Sequence, residues 1–337
     1  MLKIGLIGAG SIGSGVHNHS YAALRRSHDI AVTAIADVRK QEREEAAKLW
    51  PEAKLYSSGR ELIENEALDA VDICLPTYLH AEHAIAAMEK GRDVFVEKPV
   101  CLTMAEAEAL LETQKRTGVR VMVGQVLRFF PEYRFIKELQ TSGKYGKLTS
   151  LVMQRLNGHS ESFGWEGWFH DGTKSGAVIV DLHIHDADFA RWVLGEPNGF
   201  SLRVRKDERG FCEHVFSLLD YGETLVSAEA VWDYRNGFPF TAAFRAGFEK
   251  ATVVFDSTQS PTLKVFPGDG KELIPDLPQH EDEEIRKLTG YYDELRYFAG
   301  QCIAGKPIEQ CTLEEGVKTV KLVLSEYHKA NGSYPRG

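Results

Sequence analysis

Three short stretches of this 337-residue chain hold groups able to bind an anion or move a proton. The first is Gly8-Ala9-Gly10-Ser11-Ile12-Gly13, directly after the apolar run Leu2–Ile7. Gly8 permits a tight turn, Gly10 lets the backbone approach a pyrophosphate, and Gly13 lets the following helix pack closely on the strand. The helix start at Ser11 and Ile12 offers free N–H groups and the positive end of the dipole to a phosphate. The second stretch is Glu97-Lys98-Pro99, after the strand-like run 93–96. Lys98 can donate to a hydroxyl or carbonyl oxygen, Pro99 fixes the backbone beside it, and an unusual X-Pro geometry is open to it. The third is Asp181-Leu182-His183-Ile184-His185. If Asp181 opens a helix, His185 lies one turn later on the same face, while His183 and Asp186 point elsewhere. Such a pair suits proton transfer from a hydroxyl, the imidazole accepting and the carboxylate supporting the charge.

Each stretch has a plainer reading: a turn into an ordinary helix, a surface Glu-Lys pair, a structural capped helix. Asp181, His183 and His185 also have spacing that permits a metal, but no thiolate or fourth ligand completes a site, and none is expected. Asp37 closes the second apolar run, Ile30–Ala36. Its carboxylate suits adenosine ribose hydroxyls and repels a 2′-phosphate, which favours NAD. Arg39 and Lys40 follow it and suit that phosphate instead, so NADP stays open.

The elements that position these groups are readable from the apolar pattern. Short runs at 2–7, 30–36, 70–75, 93–96 and 119–123 alternate with helical stretches at 42–49, 80–90 and 103–117. In the last, Thr103 and Glu106 form a capping box and Gly118 ends the helix. The alternation predicts an α/β fold: a doubly wound parallel sheet covered on both faces. From residue 124 the pattern changes. A helix begins at Pro131 and runs to about residue 140. Strand candidates follow at 148–156, 200–204, 211–220, 225–232, 240–246, 251–255 and 263–266, interrupted by one helix at 182–194. Helices at 283–304 and 313–330 close the chain. This predicts an α+β domain with an open, mostly antiparallel sheet at 124–337, after a dinucleotide-binding domain at 1–123. The stretch 157–174 holds Trp165, Trp168, Phe169 and His170 among glycines and reads as a substrate-facing loop, with Trp168 suited to stacking on a sugar ring.

The net charge of −9 disfavours nucleic acid and anionic membranes as partners. The five cysteines show no Cys-x-x-Cys pair, and no run approaches a membrane span; a reduced cytoplasm is the expected compartment.

Together these residues resemble the glucose–fructose oxidoreductase/inositol dehydrogenase (Gfo/Idh/MocA) family. The likeness runs through the glycine turn, Cys74-Leu75-Pro76-Thr77-Tyr78-Leu79-His80, Glu97-Lys98-Pro99, Asp181-x-x-x-His185 and Thr312-Leu313-Glu314-Glu315-Gly316. It implies hydride transfer between NAD(P) and a secondary alcohol or ketone of a sugar, cyclitol or related polyol. It implies that Lys98 lies beside substrate and nicotinamide, that His185 is the acid/base, and that Asp181 assists. Leu75, Pro76, Thr77, His80, Glu97, Gln125 and Arg128 are implied to line the cofactor. A homo-oligomer, dimer or tetramer, through the exposed face of the second sheet is also implied. Ser175-Gly176-Ala177 stands where the family often has two glycines before the Asp-x-x-x-His stretch. Two other chemistries remain open at this point: a glycosidase that transiently oxidises its sugar on bound NAD, and a nucleotide-sensing regulator.

Overall fold

The structure, a computed structural model, describes residues 1–158 and 164–332. In its first part, strands β1 (Leu2–Ile7), β2 (Ile30–Ala36), β3 (Lys54–Tyr56), β4 (Ala70–Ile73), β5 (Asp93–Glu97) and β6 (Val121–Gly124) alternate with helices α1 (Asn18–Leu24), α2 (Lys40–Ala46), α3 (Gly59–Asn65), α4 (His80–Glu89) and α5 (Met104–Thr117). Then come α6 (Pro131–Ser142), β7 (Leu148–Gly158), α7 (Gly172–Ser175), α8 (Ala177–Asp181) and α9 (Ile184–Leu194). Six strands follow: β8 (Gly199–Lys206), β9 (Cys212–Tyr221), β10 (Thr224–Tyr234), β11 (Thr241–Phe248), β12 (Ala251–Asp256) and β13 (Leu263–Phe266). Helices α10 (Glu283–Leu288), α11 (Gly290–Ala304) and α12 (Leu313–Ala330) come last.

The chain forms two units: Met1–Phe129 with Gln279–Lys318, and Phe130–Pro278 with the segment from Thr319 on. A single division at residue 123 misses that the segment 279–318 belongs to the first unit. The physical reason lies at the sheet edge. The Val123 N–H donates to the Cys311 carbonyl at 2.8 Å, Thr312 bridges Met122, and Phe298 of α11 packs edge-on against Phe95 of β5 at 5.6 Å.

In the first unit all strand pairs are parallel, in the order β3-β2-β1-β4-β5-β6. Its buried strands read as apolar runs because both faces are covered, α1 and α11 sharing one core cluster with β1, β2, β4, β5 and β6. The capping box on α5 is present as read: Glu106 N–H donates to Thr103 Oγ1 at 3.2 Å, and Gly118 ends the helix at φ 69°. The short exposed β3 and the helix α3 were not legible. One helix was expected at 283–304; two form, broken at Thr289, whose φ is 36°.

In the second unit the sheet runs β13-β12-β11-β7-β10-β9-β8. Every pairing is antiparallel except β7 with β10. A parallel pair needs a long crossover, and helices α7, α8 and α9 lie in that connection. Tyr133 of α6 anchors the core, its ring 4.8 Å from Phe189 of α9 and 5.3 Å from Phe244 of β11.

The helix expected at 182–194, opened by Asp181, is instead two. Asp181 ends α8, and the chain turns at Leu182-His183 before α9, with the His183 N–H reaching back to the Val178 carbonyl at 2.8 Å. Paired buried groups flank this break. His183 Nε2 pairs with Glu326 Oε2 of α12 at 3.0 Å, and Ser217 Oγ donates to the other oxygen of Glu326. Burial works against the His183 charge, but Glu326 outweighs it and raises the imidazole pKa. One turn on, Asp186 receives a fork from Arg155 of β7, at 2.9 and 3.1 Å. Asp188 takes the Thr319 hydroxyl at 2.9 Å. A buried carboxylate removed from such a pair leaves its partner's charge uncompensated. Asp186→Ala should therefore lower the unfolding free energy of the second unit by about 3–5 kcal/mol in urea titration. A loss below about 1 kcal/mol, the worth of a surface pair, would contradict that assignment.

Candidate active site

The carboxyl ends of β1, β2, β4, β5 and β6 share one edge of the parallel sheet, and the predicted cofactor residues follow those ends in turn. After β1, Gly8 adopts φ 95°, and a Cβ there would stand 2.5 Å from the Cys74 carbonyl oxygen. A Cβ on Gly13 would overlap the Gly8 carbonyl oxygen. The turn thus requires both glycines. At Gly10 a Cβ would meet only Arg39 Nη2, at 3.6 Å, so the space above it is open to a ligand. The first helical bond runs from Ser14 N–H to Gly10 O at 2.8 Å, leaving the N–H groups of Ser11, Ile12 and Gly13 without a helical acceptor. The opening turn is wide: His17 N–H reaches Ile12 O, five residues back, at 2.9 Å.

After β2, Asp37 is buried, and its Oδ2 accepts the Ala9 N–H at 2.9 Å. Arg39 closes on the same carboxylate with Nε at 3.0 Å and Nη2 at 2.9 Å, its own N–H adding a third bond at 2.8 Å. Arg39 is thus committed to Asp37, and a ribose diol bound at this carboxylate would share it with the guanidinium.

After β4, Leu75 and Pro76 are half-buried and lead into a short turn over Thr77–Leu79, in which Thr77 is buried. His80 opens α4 with its ring between two carbonyls, Leu75 O at 2.6 Å from Nε2 and Pro99 O at 2.7 Å from Nδ1. Burial lowers its pKa, so at neutral pH the ring is uncharged and donates to one carbonyl at a time. His80 thereby ties the loop after β4 to the segment after β5.

After β5, Glu97 is buried and Lys98 half-buried. The Lys98 N–H donates to Glu97 Oε2 at 3.1 Å, and Lys98-Pro99 is cis. The Glu97 side chain faces His17, with Oε1 3.2 Å from Nε2. After β6, Gln125 is 2% exposed, and neither end of its amide has a hydrogen-bond partner in the described chain. Arg128, two residues beyond Val126, lies 3.6 Å from Glu315.

The second unit holds the other residues expected from the sequence. Asp181 is buried at the end of α8, and His185 is half-buried in the first turn of α9. Trp168 stacks on Phe169 with ring centroids 3.9 Å apart, and His170 lies edge-on to Trp232 at 5.9 Å. Trp165 is exposed. Residues 159–163 of the expected substrate-facing loop lie outside the described residues. His183, grouped with Asp181 and His185 in the metal alternative, is engaged with Glu326. The sequence reading named Glu97 but missed that it belongs to a largely buried set around His17, with Asp72, Glu294 and the half-buried Cys74. A histidine four residues beyond Gly13, on the inward side of the first helix, was the available signal.

A parallel sheet of order 3-2-1-4-5-6 with this turn after its first strand defines a dinucleotide-binding unit. The open space at Gly10 and the unpartnered amide of Gln125 both fit a bound dinucleotide, which Gly8–Gly13, Asp37 and Gln125 would hold. The family described as "Oxidoreductase family, NAD-binding Rossmann fold" matches residues 2–125, and the GFO/IDH/MocA C-terminal domain matches residues 133–254. The chain belongs to the Gfo/Idh/MocA family and carries its NAD-binding fold. It is 31% identical over 195 residues to a myo-inositol 2-dehydrogenase of Thermotoga maritima, an alignment spanning 58% of this chain and 55% of that protein. It is 29% identical over 312 residues to the scyllo-inositol 2-dehydrogenase (NAD(+)) of Bacillus subtilis, covering 90% and 86% of the two chains. The crystal structure of a probable dehydrogenase from Thermotoga maritima superposes with TM-score 0.77 at 25% identity, covering 96% and 95%. Among the described residues no helix is long and apolar enough to cross a membrane.

The two glycines should separate in their effects. Gly10→Ala should melt within a few degrees of the native protein yet weaken NAD binding at least about tenfold, since its methyl occupies the approach of the pyrophosphate. Gly13→Ala should lose both stability and binding. Calorimetric titration with NAD beside thermal melting checks this; equal NAD affinity in native protein and Gly10→Ala would contradict the placement.

Proposed function

We propose that the chain is an NAD-dependent dehydrogenase acting on a secondary alcohol of a sugar, cyclitol or related polyol. The observation that carries this reading is the setting of Lys98. It follows the carboxyl end of β5, on the same sheet edge as the glycine turn, and its backbone is held by Glu97 on one side and through Pro99 and His80 on the other. Two relatives that are inositol 2-dehydrogenases favour a cyclitol.

NAD, when bound, supplies the hydride acceptor. Lys98 donates from Nζ to the reacting oxygen and orients it. His185 takes the hydroxyl proton on a ring nitrogen, and Asp181 stabilises the resulting imidazolium. Trp168, already paired with Phe169, offers an aromatic face to the C–H side of the ring. Positioned proton transfer contributes roughly 10²–10⁴-fold, so Lys98→Ala and His185→Ala should lose about that much kcat. Both should keep NAD affinity within about threefold. The assay is NADH absorbance across a panel of inositols, aldoses and glucosides. Full activity in both variants would sink the assignment.

We also infer that the outer face of the second unit's sheet meets a second copy of the chain. Phe216, Leu218 and Leu225 stand there 51%, 58% and 72% exposed, and the register of β9 with β10 places them on one side. Light scattering should give a dimer or tetramer for the native chain and a smaller species for Phe216→Glu with Leu218→Glu. A native monomer would exclude this contact.

A further inference from the structure

Beneath the glycine turn lies a set of ionisable groups that no step above uses. His17 is wholly buried, and its two ring nitrogens face two carboxylates: Nδ1 stands 2.9 Å from Asp72 Oδ2 and Nε2 stands 3.2 Å from Glu97 Oε1. Cys74 Sγ lies 3.2 Å from Nδ1 and donates to Asp72 Oδ1 at 3.3 Å. From α11, Glu294 is wholly buried with no hydrogen-bond partner for either oxygen, and the ligating atoms of His17, Glu97 and Glu294 lie within 4.8 Å of one another. The rings of Phe95 and Tyr291 pack against the imidazole, with centroids 5.4 and 6.2 Å away. His17 reaches this place through the wide turn that opens the first helix, since its N–H bonds five residues back rather than four. Single wide turns of this kind are frequent at functional sites.

We propose that His17 is a positioning residue for Lys98: bridging Asp72 and Glu97, it holds the Glu97 carboxylate where that carboxylate accepts the Lys98 backbone N–H. The bridge links the ends of β4 and β5 to the helix of the dinucleotide turn, so cofactor loop and lysine share one brace. Its charge inventory is consistent. Burial disfavours a charged His17, but Asp72 and Cys74 beside it together raise the imidazole pKa well above its usual value. Burial, and then the nearby Glu97, push Glu294 well up, so that it holds a proton instead of adding a third negative charge. Burial keeps Cys74 a thiol. The imidazolium hydrogen-bonds Asp72 through Nδ1 and faces Glu97 as an ion pair, with Nε2 3.2 Å from Oε1.

The inference rests on Lys98 being the reacting lysine, but its test needs no turnover. In full-length native protein, ring ¹⁵N shifts should show His17 still doubly protonated at about pH 8, where a free histidine is neutral. In His17→Gln, hydrogen exchange at the Lys98 amide should quicken at least about tenfold while β1 and β4 amides keep their rates. Affinity for NAD should stay within about threefold, and kcat for whichever polyol is oxidised should fall at least about tenfold with little change in KM. Should His17→Gln fail to fold, Asp72→Asn serves in its place, and His17 should become neutral by about pH 8 in that variant. A native His17 already neutral at neutral pH overturns the proposal. So does unchanged Lys98 exchange, or one equivalent of tightly bound divalent metal found by elemental analysis. A chain that oxidises no polyol yet shows the exchange and ring-shift results loses the dehydrogenase reading and keeps the brace.

Discussion

The first unit depends on how closely the chain can turn between β1 and the helix that follows. Gly13 packs against the Gly8 carbonyl so tightly that no side chain fits between them, and Gly8 itself abuts the Cys74 backbone. That approach brings the helix start to the carboxyl edge of the sheet, where its N–H groups face outward. It also presses the inward side of the helix onto the ends of β4 and β5. His17 is the residue that meets them, and it meets carboxylates. An anion site at the surface and a charged cluster in the interior are two consequences of one steric fact.

The second unit fixes α9 by a different means. Polar residues at its start and on its inward side are answered by groups from elsewhere: His183 by Glu326, Asp186 by Arg155, Asp188 by Thr319. A helix held by apolar contacts alone tolerates small slides and rotations. Forked and buried ion pairs permit far less, because a displaced partner leaves a bare charge in a low-dielectric interior. His185 sits in the first turn of this helix, between His183 and Asp186 in sequence. Its orientation is set by neighbours that themselves do no chemistry.

What the sequence disclosed follows from the range of the forces involved. The capping box of α5 is local, and Thr103, Glu106 and Gly118 were readable as such. The glycine turn was legible because each glycine answers a steric demand within a few residues. The closely spaced strands β9 and β10 were readable as part of a mostly antiparallel sheet because the turn between them is local. The break between α8 and α9 was not legible; the histidine at it pairs with Glu326, far along the chain on α12. The same holds for the segment 279–318, whose place is fixed by pairing of Cys311 and Thr312 with β6. His17 looked like one more helix residue until Asp72, Glu97 and Glu294 were seen around it.

The account stands on one chemical claim, that a hydride leaves a carbinol carbon of a polyol for the dinucleotide held at the Gly8–Gly13 turn. The most direct measurement uses an inositol deuterated at its ring carbons, incubated with the protein and NAD, and reads the NADH by proton NMR. Deuterium at nicotinamide C4, on one face alone, is the predicted result. NADH free of deuterium, or no reduction of NAD with any deuterated inositol or sugar, would contradict it.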